Sequence, residues 1–304
     1  MKKSSVKNGL PKVLVILGPT SMGKSDLAVR LAKKFNGEII SADSRQVYKG
    51  LNIGTGKITE KEMLGVPHHL LDVVSPKKIF SVSDFQKIAI ERIENILSRG
   101  KLPIICGGTG FYIDSIVHGI VLPEVPPNPK LRKILEKKSL EELVKILKKL
   151  DKNRLENIDQ KNKVRLIRAI EIAKSLGKVP KVKKEESKYD FCQIGLRIDD
   201  YNLKKKIRNR LFLRIKKGMI KEAENIHKNG LTYKRMKELG LEYRFLTDFL
   251  EKKITKVELF KKIMDGNWNY AKRQVTWFKR DEKIKWFKPT EENSIKRTVE
   301  KFLT

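Results

Sequence analysis

The chain has 304 residues and sets 68 Lys and Arg against 36 Asp and Glu, a formal net charge of +32. Its length allows one large domain or two modest ones, and a 39% hydrophobic content supplies a core, which excludes a merely charged, disordered chain. No apolar run approaches the roughly 20 residues that span a bilayer. No signal core follows the basic start Met1–Ser5, and Cys106 and Cys192 make no disulfide framework or metal motif, so a cytoplasmic protein without membrane contact is expected.

The first 120 residues alternate strand and helix. Val13–Leu17 is a short apolar, β-branched run suited to a buried parallel strand, and Asp26–Phe35 continues as a helix. Glu38–Ala42 is a second strand ending at Asp43. Ser81 caps a long amphipathic helix that Gly100 stops, with Phe85, Ile88, Ile93, Ile96 and Leu97 on its apolar face. Leu102–Cys106 is a third strand running into Gly107-Gly108-Thr109. This order predicts an α/β fold, a P-loop NTPase-like parallel sheet flanked by helices.

Four prolines between Pro123 and Pro129 cannot continue a helix or a central strand and mark a junction. Helices are predicted at Leu131–Lys137, Ser139–Leu150 and Lys163–Leu176, followed by a return to strand character at Phe191–Ile198. The expected organisation is a core domain of residues 1–122 and 190–304, interrupted by an all-helical insertion, residues 123–189. Helices then run from Asp199 to about Arg280, before a short strand at Ile284–Phe287 and a terminal helix.

The charge is uneven. Residues 1–120 hold 18 basic and 10 acidic residues, net +8, whereas residues 121–304 hold 50 and 26, net +24. Lys outnumbers Arg by 51 to 17, so part of the excess is solvated surface. The asymmetry still points to a polyanion docking on the second part, because neutralising phosphates releases counterions.

Gly18-Pro19-Thr20-Ser21-Met22-Gly23-Lys24-Ser25 satisfies the G-x-x-x-x-G-K-[ST] pattern between a strand and a helix. Such a loop turns consecutive backbone N–H groups toward phosphate oxygens, Lys24 adds a full charge, and Ser25 can ligate Mg²⁺ through the phosphate. The later strand Ile104-Ile105-Cys106 lacks the acid that nucleoside triphosphatases place there. The available carboxylate is Asp43, at the carboxyl end of a core strand where the ligand crevice lies; it can take a proton from a nucleophile.

Further motifs accompany these two: Ile40-Ser41-Ala42-Asp43-Ser44-Arg45-Gln46-Val47-Tyr48, Leu51-Asn52-Ile53-Gly54-Thr55-Gly56-Lys57, Val66-Pro67-His68-His69-Leu70-Leu71-Asp72, Gly107-Gly108-Thr109-Gly110-Phe111-Tyr112 and Tyr270-Ala271-Lys272-Arg273-Gln274. In this order, over nearly the whole chain, the set resembles the bacterial tRNA dimethylallyltransferases. The resemblance implies transfer of a dimethylallyl group from dimethylallyl diphosphate to N6 of the adenosine 3′-adjacent to the anticodon, position 37, with release of diphosphate. It implies Mg²⁺ as cofactor and the tRNA anticodon stem-loop as partner; a monomer is expected.

Carried onto this sequence, Gly18, Pro19, Thr20, Ser21, Met22, Gly23, Lys24 and Ser25 would bind the diphosphate. Asp43 would accept the amine proton, and Thr109 would stand beside the reacting groups. Asp43, Ser44, Arg45 and Gln46 would meet the tRNA, as would Arg132, Lys163, Val164, Arg165, Leu166, Ile167 and Arg168 of the insertion, and Lys272, Arg273 and Gln274. The family's Gly-Tyr-Arg/Lys segment is altered here to Gly240-Leu241-Glu242-Tyr243-Arg244, which leaves Arg244 as the candidate second diphosphate clamp. His68 and His69 are adjacent and expected to pack rather than bind metal.

Three other readings compete. A small-molecule kinase explains residues 1–120 but leaves the +24 beyond them unused. An adenylate isopentenyltransferase, acting on free nucleotide, shares the first half of the pattern but not the basic second part. A non-catalytic nucleic-acid module leaves the phosphate loop and Asp43 unexplained.

Overall fold

The computed structural model describes residues 9–304; the basic start Met1–Ser5 lies outside the described residues. It divides into two compact units, one of residues up to Gly119 together with Glu186–Thr304, the other Ile120–Glu185.

The first unit is built on a six-stranded parallel sheet. Its strands are Lys12–Leu17 (β1), Gly37–Ala42 (β2), His68–His69 (β3), Leu102–Gly107 (β4), Asp190–Leu196 (β7) and Lys285–Phe287 (β8), in the order β3-β2-β4-β1-β7-β8. Strand β1 pairs in parallel with β4 on one side and β7 on the other. Its residues alternate between two cores. Leu14 and Ile16 join Leu27, Leu31, Ile104 and Ile194 on one face, while Val13, Val15 and Leu17 join Phe85, Ile93 and Ile113 on the other. A strand covered on both faces has no polar position to offer, which is why the run reads as continuously apolar.

The covering helices are Lys24–Lys34 (α1), Glu60–Met63 (α2), Val82–Ser98 (α3) and Gly110–Val117 (α4), then Asp200–Lys216 (α9), Met219–Lys228 (α10), Tyr233–Leu239 (α11), Leu241–Leu250 (α12), Lys256–Phe278 (α13) and Glu292–Leu303 (α14). Helix α3 opens with a capping box: Ser81 Oγ accepts from the Asp84 N–H, and the Asp84 carboxylate accepts from the Ser81 N–H. A third core of Leu211, Met219, Met236, Tyr243, Leu246 and Leu259 packs α9–α13 beneath the segment Val47–Leu51. The sheet and its helices agree with the α/β expectation, and no helix among the described residues is long and apolar enough to cross a membrane.

The second unit contains Ile120–Val121 (β5), Pro129–Leu135 (α5), Leu140–Leu150 (α6), Lys152–Glu156 (α7), Lys163–Leu176 (α8) and Lys183–Lys184 (β6). It is not all-helical, because β5 and β6 form a short antiparallel pair where the chain enters and leaves it. The prolines keep the entering chain extended until Asn128 caps α5, with Pro129 in its first turn. Leu143, Leu147, Leu166 and Ile170 form its core.

At the edge of that core Glu171 is 2% exposed. It accepts from the Asn128 N–H at 2.6 Å, from Arg132 at 2.9 and 2.8 Å, and from Arg168 at 2.6 Å. Burial alone would push its carboxyl up, but these bonds outweigh it and hold it below the ordinary Glu value. Glu171→Ala leaves two guanidiniums facing each other without an anion. The variant should lose about 2–3 kcal/mol in denaturant unfolding, below a fully buried pair because both guanidiniums are partly solvated. A loss under about 0.5 kcal/mol would show that the cluster is replaceable.

Candidate active site

The carboxyl ends of β1, β2 and β4 lie side by side, and the segments leaving them line a cleft of about 470 Å³. After β1 the chain turns through Gly18 and Ser21, both at positive φ, and enters α1 at Gly23, also left-handed. A Cβ on Gly18 would press on the Leu196 carbonyl at 2.6 Å, so only glycine lets the loop pass this close to β7. The lining includes Thr20–Ser25, Asp43 and Gln46 beyond β2, Cys106–Gly108 of β4 and its loop, Lys206 and Arg210 of α9, and Tyr270 and Gln274 of α13.

Besides exposed Lys206, two half-buried cations sit in this cleft without carboxylate partners among the described residues. Lys24 Nζ donates to its own loop, at the Pro19 carbonyl, at 2.7 Å. Burial brings its ammonium down to about 8, and the Arg210 charge adds to the fall. Arg210 donates to Thr20 Oγ1 at 3.1 Å and to the Gly56 carbonyl at 3.1 Å, and burial lowers its pKa too. All three partners are neutral, so both charges remain available to an incoming anion. Cys106, at the floor, is pushed up to about 12 by burial and is therefore an unreactive thiol.

Asp43 faces the same space. Its Oδ1 accepts from the Arg45 N–H at 2.8 Å and the Gln46 N–H at 3.3 Å, which fixes the carboxylate on the turn after β2. Its Oδ2 makes no hydrogen bond among the described residues and is the open acceptor. Thr109 Oγ1 accepts from the Ser44 N–H at 3.1 Å and donates to Ser44 Oγ at 3.4 Å, and burial pushes the nearby Tyr270 phenol well up. Thr109 thus sits against the Asp43 turn. His68 and His69 point apart: His68 Nδ1 meets the Val66 carbonyl, and His69 Nε2 meets Glu38, each at 2.8 Å.

Several expected site residues sit elsewhere. Arg244 is exposed on α12 and does not line the cleft, because Glu242, Tyr243 and Leu246 turn that helix's inner face to the core. Arg210, on α9, lines the cleft instead. Gln274 is buried, donates to the Gly108 carbonyl at 2.8 Å and accepts from the Thr20 N–H at 2.9 Å; it ties the phosphate loop to the β4 loop rather than facing solvent. Its neighbours Lys272 and Arg273 are exposed over Trp268 and Tyr270.

In the second unit Leu166 and Ile167 are core residues, 0% and 7% exposed, and offer no contact surface. Arg132 and Arg168 are engaged by Glu171. Of that stretch Val164 and Arg165 are exposed and Lys163 half-buried. Arg210 itself escaped the sequence reading. Its signal is its place seven residues after Leu203 and three after Ile207, beside the apolar stripe Leu203, Ile207 and Leu211 of a very basic helix.

The sequence profile described as IPP transferase matches residues 46–281. A tRNA dimethylallyltransferase of Anoxybacillus flavithermus is 39% identical over 297 residues, covering 96% of this chain and 95% of its own. The crystal structure of the full-length tRNA isopentenylpyrophosphate transferase from Bacillus halodurans superposes with a TM-score of 0.71 at 34% identity, over 95% of this chain and 97% of that one. A eukaryotic dimethylallyltransferase acting on tRNA gives 0.78 at 25% identity, over 96% and 77%. The protein that carries this cleft belongs to the tRNA dimethylallyltransferase family.

Proposed function

We propose that the cleft binds dimethylallyl diphosphate and transfers the dimethylallyl group to N6 of the adenosine 3′-adjacent to the tRNA anticodon. The observation that supports this best is one cleft holding two unpaired cations, Lys24 and Arg210, together with a carboxylate oxygen, Asp43 Oδ2, that has no partner among the described residues. The backbone N–H groups at the head of α1, with Lys24 and Arg210, receive the diphosphate and stabilise the charge that grows on it. The N6 lone pair forms the new C–N bond as the allylic C–O bond breaks and the electron pair leaves on the diphosphate. The amine proton passes to Asp43 Oδ2. Oriented acceptance of that proton also aims a weak nucleophile at the allylic carbon.

A divalent cation fits this chemistry through the ligand. Among the described residues no group of three or more His, Cys, Asp or Glu side chains can hold a metal by itself. Ser25, in the first turn of α1, offers one hydroxyl, so Mg²⁺ would take its other oxygens from the diphosphate and water. When bound it neutralises leaving-group charge.

The polyanion reading extends to the helical unit, where exposed Arg165 and neighbouring Lys163 supply charge for the anticodon stem-loop. The target base is splayed out to reach the cleft.

Incubation with labelled dimethylallyl diphosphate should place label in tRNA and none in AMP; label in AMP alone, or phosphate transfer from ATP, contradicts the reading. Asp43→Asn should lower kcat by about 100- to 10,000-fold with tRNA affinity unchanged. Equal losses in both would make Asp43 structural. Arg210→Ala should raise KM for the diphosphate by about tenfold, and Arg244→Ala by less than about twofold. The reverse order in steady-state kinetics would return the clamp to Arg244.

A further inference from the structure

Arg210 is held by a loop rather than by a carboxylate, and that loop is itself held by two charged side chains, half-buried Glu222 and buried Arg214. The backbone of residues 52–56 presents three N–H groups to one side chain. Glu222 Oε2 accepts from Asn52 at 3.0 Å and Ile53 at 2.7 Å, and Glu222 Oε1 accepts from Gly54 at 2.8 Å and from the Tyr243 hydroxyl at 2.8 Å. Arg214 grips the same segment through its carbonyls. It donates to the Ile53 oxygen at 2.7 Å and to the Gly54 oxygen, and its third nitrogen pairs with Glu242 at 2.9 Å. Converging N–H groups favour an anion and converging carbonyls a cation, so a carboxylate and a guanidinium on one short loop form a complementary clamp.

The clamp leads directly to the cleft. The Gly56 carbonyl, at the end of the loop, accepts from Arg210 at 3.1 Å and from Gln46 at 3.4 Å. The approach is close enough that a Cβ on Gly56 would collide with the Arg210 guanidinium, and one on Gly54 with the Tyr243 ring. Neither Glu222 nor Arg214 lines the cleft. A long arginine side chain left free would lose its freedom on binding an anion, and that cost subtracts from affinity.

We propose that Glu222 and Arg214 are positioning residues for the diphosphate: they fix the 52–56 backbone, which through the Gly56 carbonyl fixes Arg210 against Thr20. This rests on the proposed function, in which Arg210 receives the diphosphate.

A double-mutant cycle read by calorimetry with inorganic diphosphate tests it, using the full chain with Arg210→Ala, Glu222→Gln and their combination. Glu222→Gln should weaken binding about tenfold in the wild-type background and less than about twofold once Arg210 is gone. Equal losses in the two backgrounds, or none in either, overturn the proposal, because a merely structural role does not depend on Arg210. If Glu222→Gln is not recovered folded, Tyr243→Phe, which removes one bond to the same carboxylate, is read through the same cycle by the same criterion. A wild-type chain that binds no diphosphate removes the underlying reading instead, so the two failures are separable.

Discussion

Two half-buried cations with only neutral hydrogen-bond partners organise this molecule. Taking a charged ammonium or guanidinium into a protein interior is unfavourable unless an anion accompanies it. Lys24 rests on the Pro19 carbonyl, and Arg210 on a hydroxyl and a carbonyl. The surrounding structure keeps both in place: Gln274 pins the Thr20 amide to the β4 loop, the sheet aligns β1 with β4, and the 52–56 loop supports Arg210. Preorganisation of this kind is what leaving-group stabilisation requires, because the dipoles and charges need not reorganise when the allylic bond breaks.

The rest of the unit follows from the same requirement. A parallel sheet brings the ends of β1, β2 and β4 together, so a phosphate loop, an acid and the Gly107-Gly108 turn reach one cleft from stretches far apart in sequence. Asp43 is anchored by one oxygen and open at the other, an arrangement for orienting a donor rather than for pairing with a cation. The absence of an acid at the end of β4, unusual for a nucleoside triphosphatase, is consistent with a ligand whose diphosphate is a leaving group rather than an energy source.

Local patterns were legible in the chain. The apolar strand, the phosphate loop and the strand-terminal Asp43 each depend on fewer than about ten neighbouring residues, and their chemistry follows from spacing alone. The contacts that complete the site were not. Arg210 reaches Thr20, and Gln274 reaches both Thr20 and Gly108, across separations that no spacing rule encodes. Arg244 stays outside the cleft because α12 turns its other face inward, and Glu242 occupies that face to meet Arg214. Leu166 and Ile167 lie inside a basic stretch but carry the apolar period of α8, which burial settles in favour of the core. Arg132 and Arg168 read as free charge until Glu171 is placed between them.

The net charge of +32 is therefore divided among solvated lysines, paired arginines and the few cations kept unpaired for a ligand. The most direct measurement of the last group is the proton balance of ligand binding. With Lys24 near 8 in the free protein, a diphosphate settling on it raises its pKa, so binding takes up a proton wherever the free amine is present. Calorimetry with dimethylallyl diphosphate, fully ionised at about pH 8.5, in buffers of different ionisation enthalpy should show net proton uptake on binding. Affinity should be level between about pH 7 and 8 and fall above it. No proton uptake, with affinity flat from about pH 7 to 9.5, would contradict an unpaired, buried Lys24 awaiting the diphosphate.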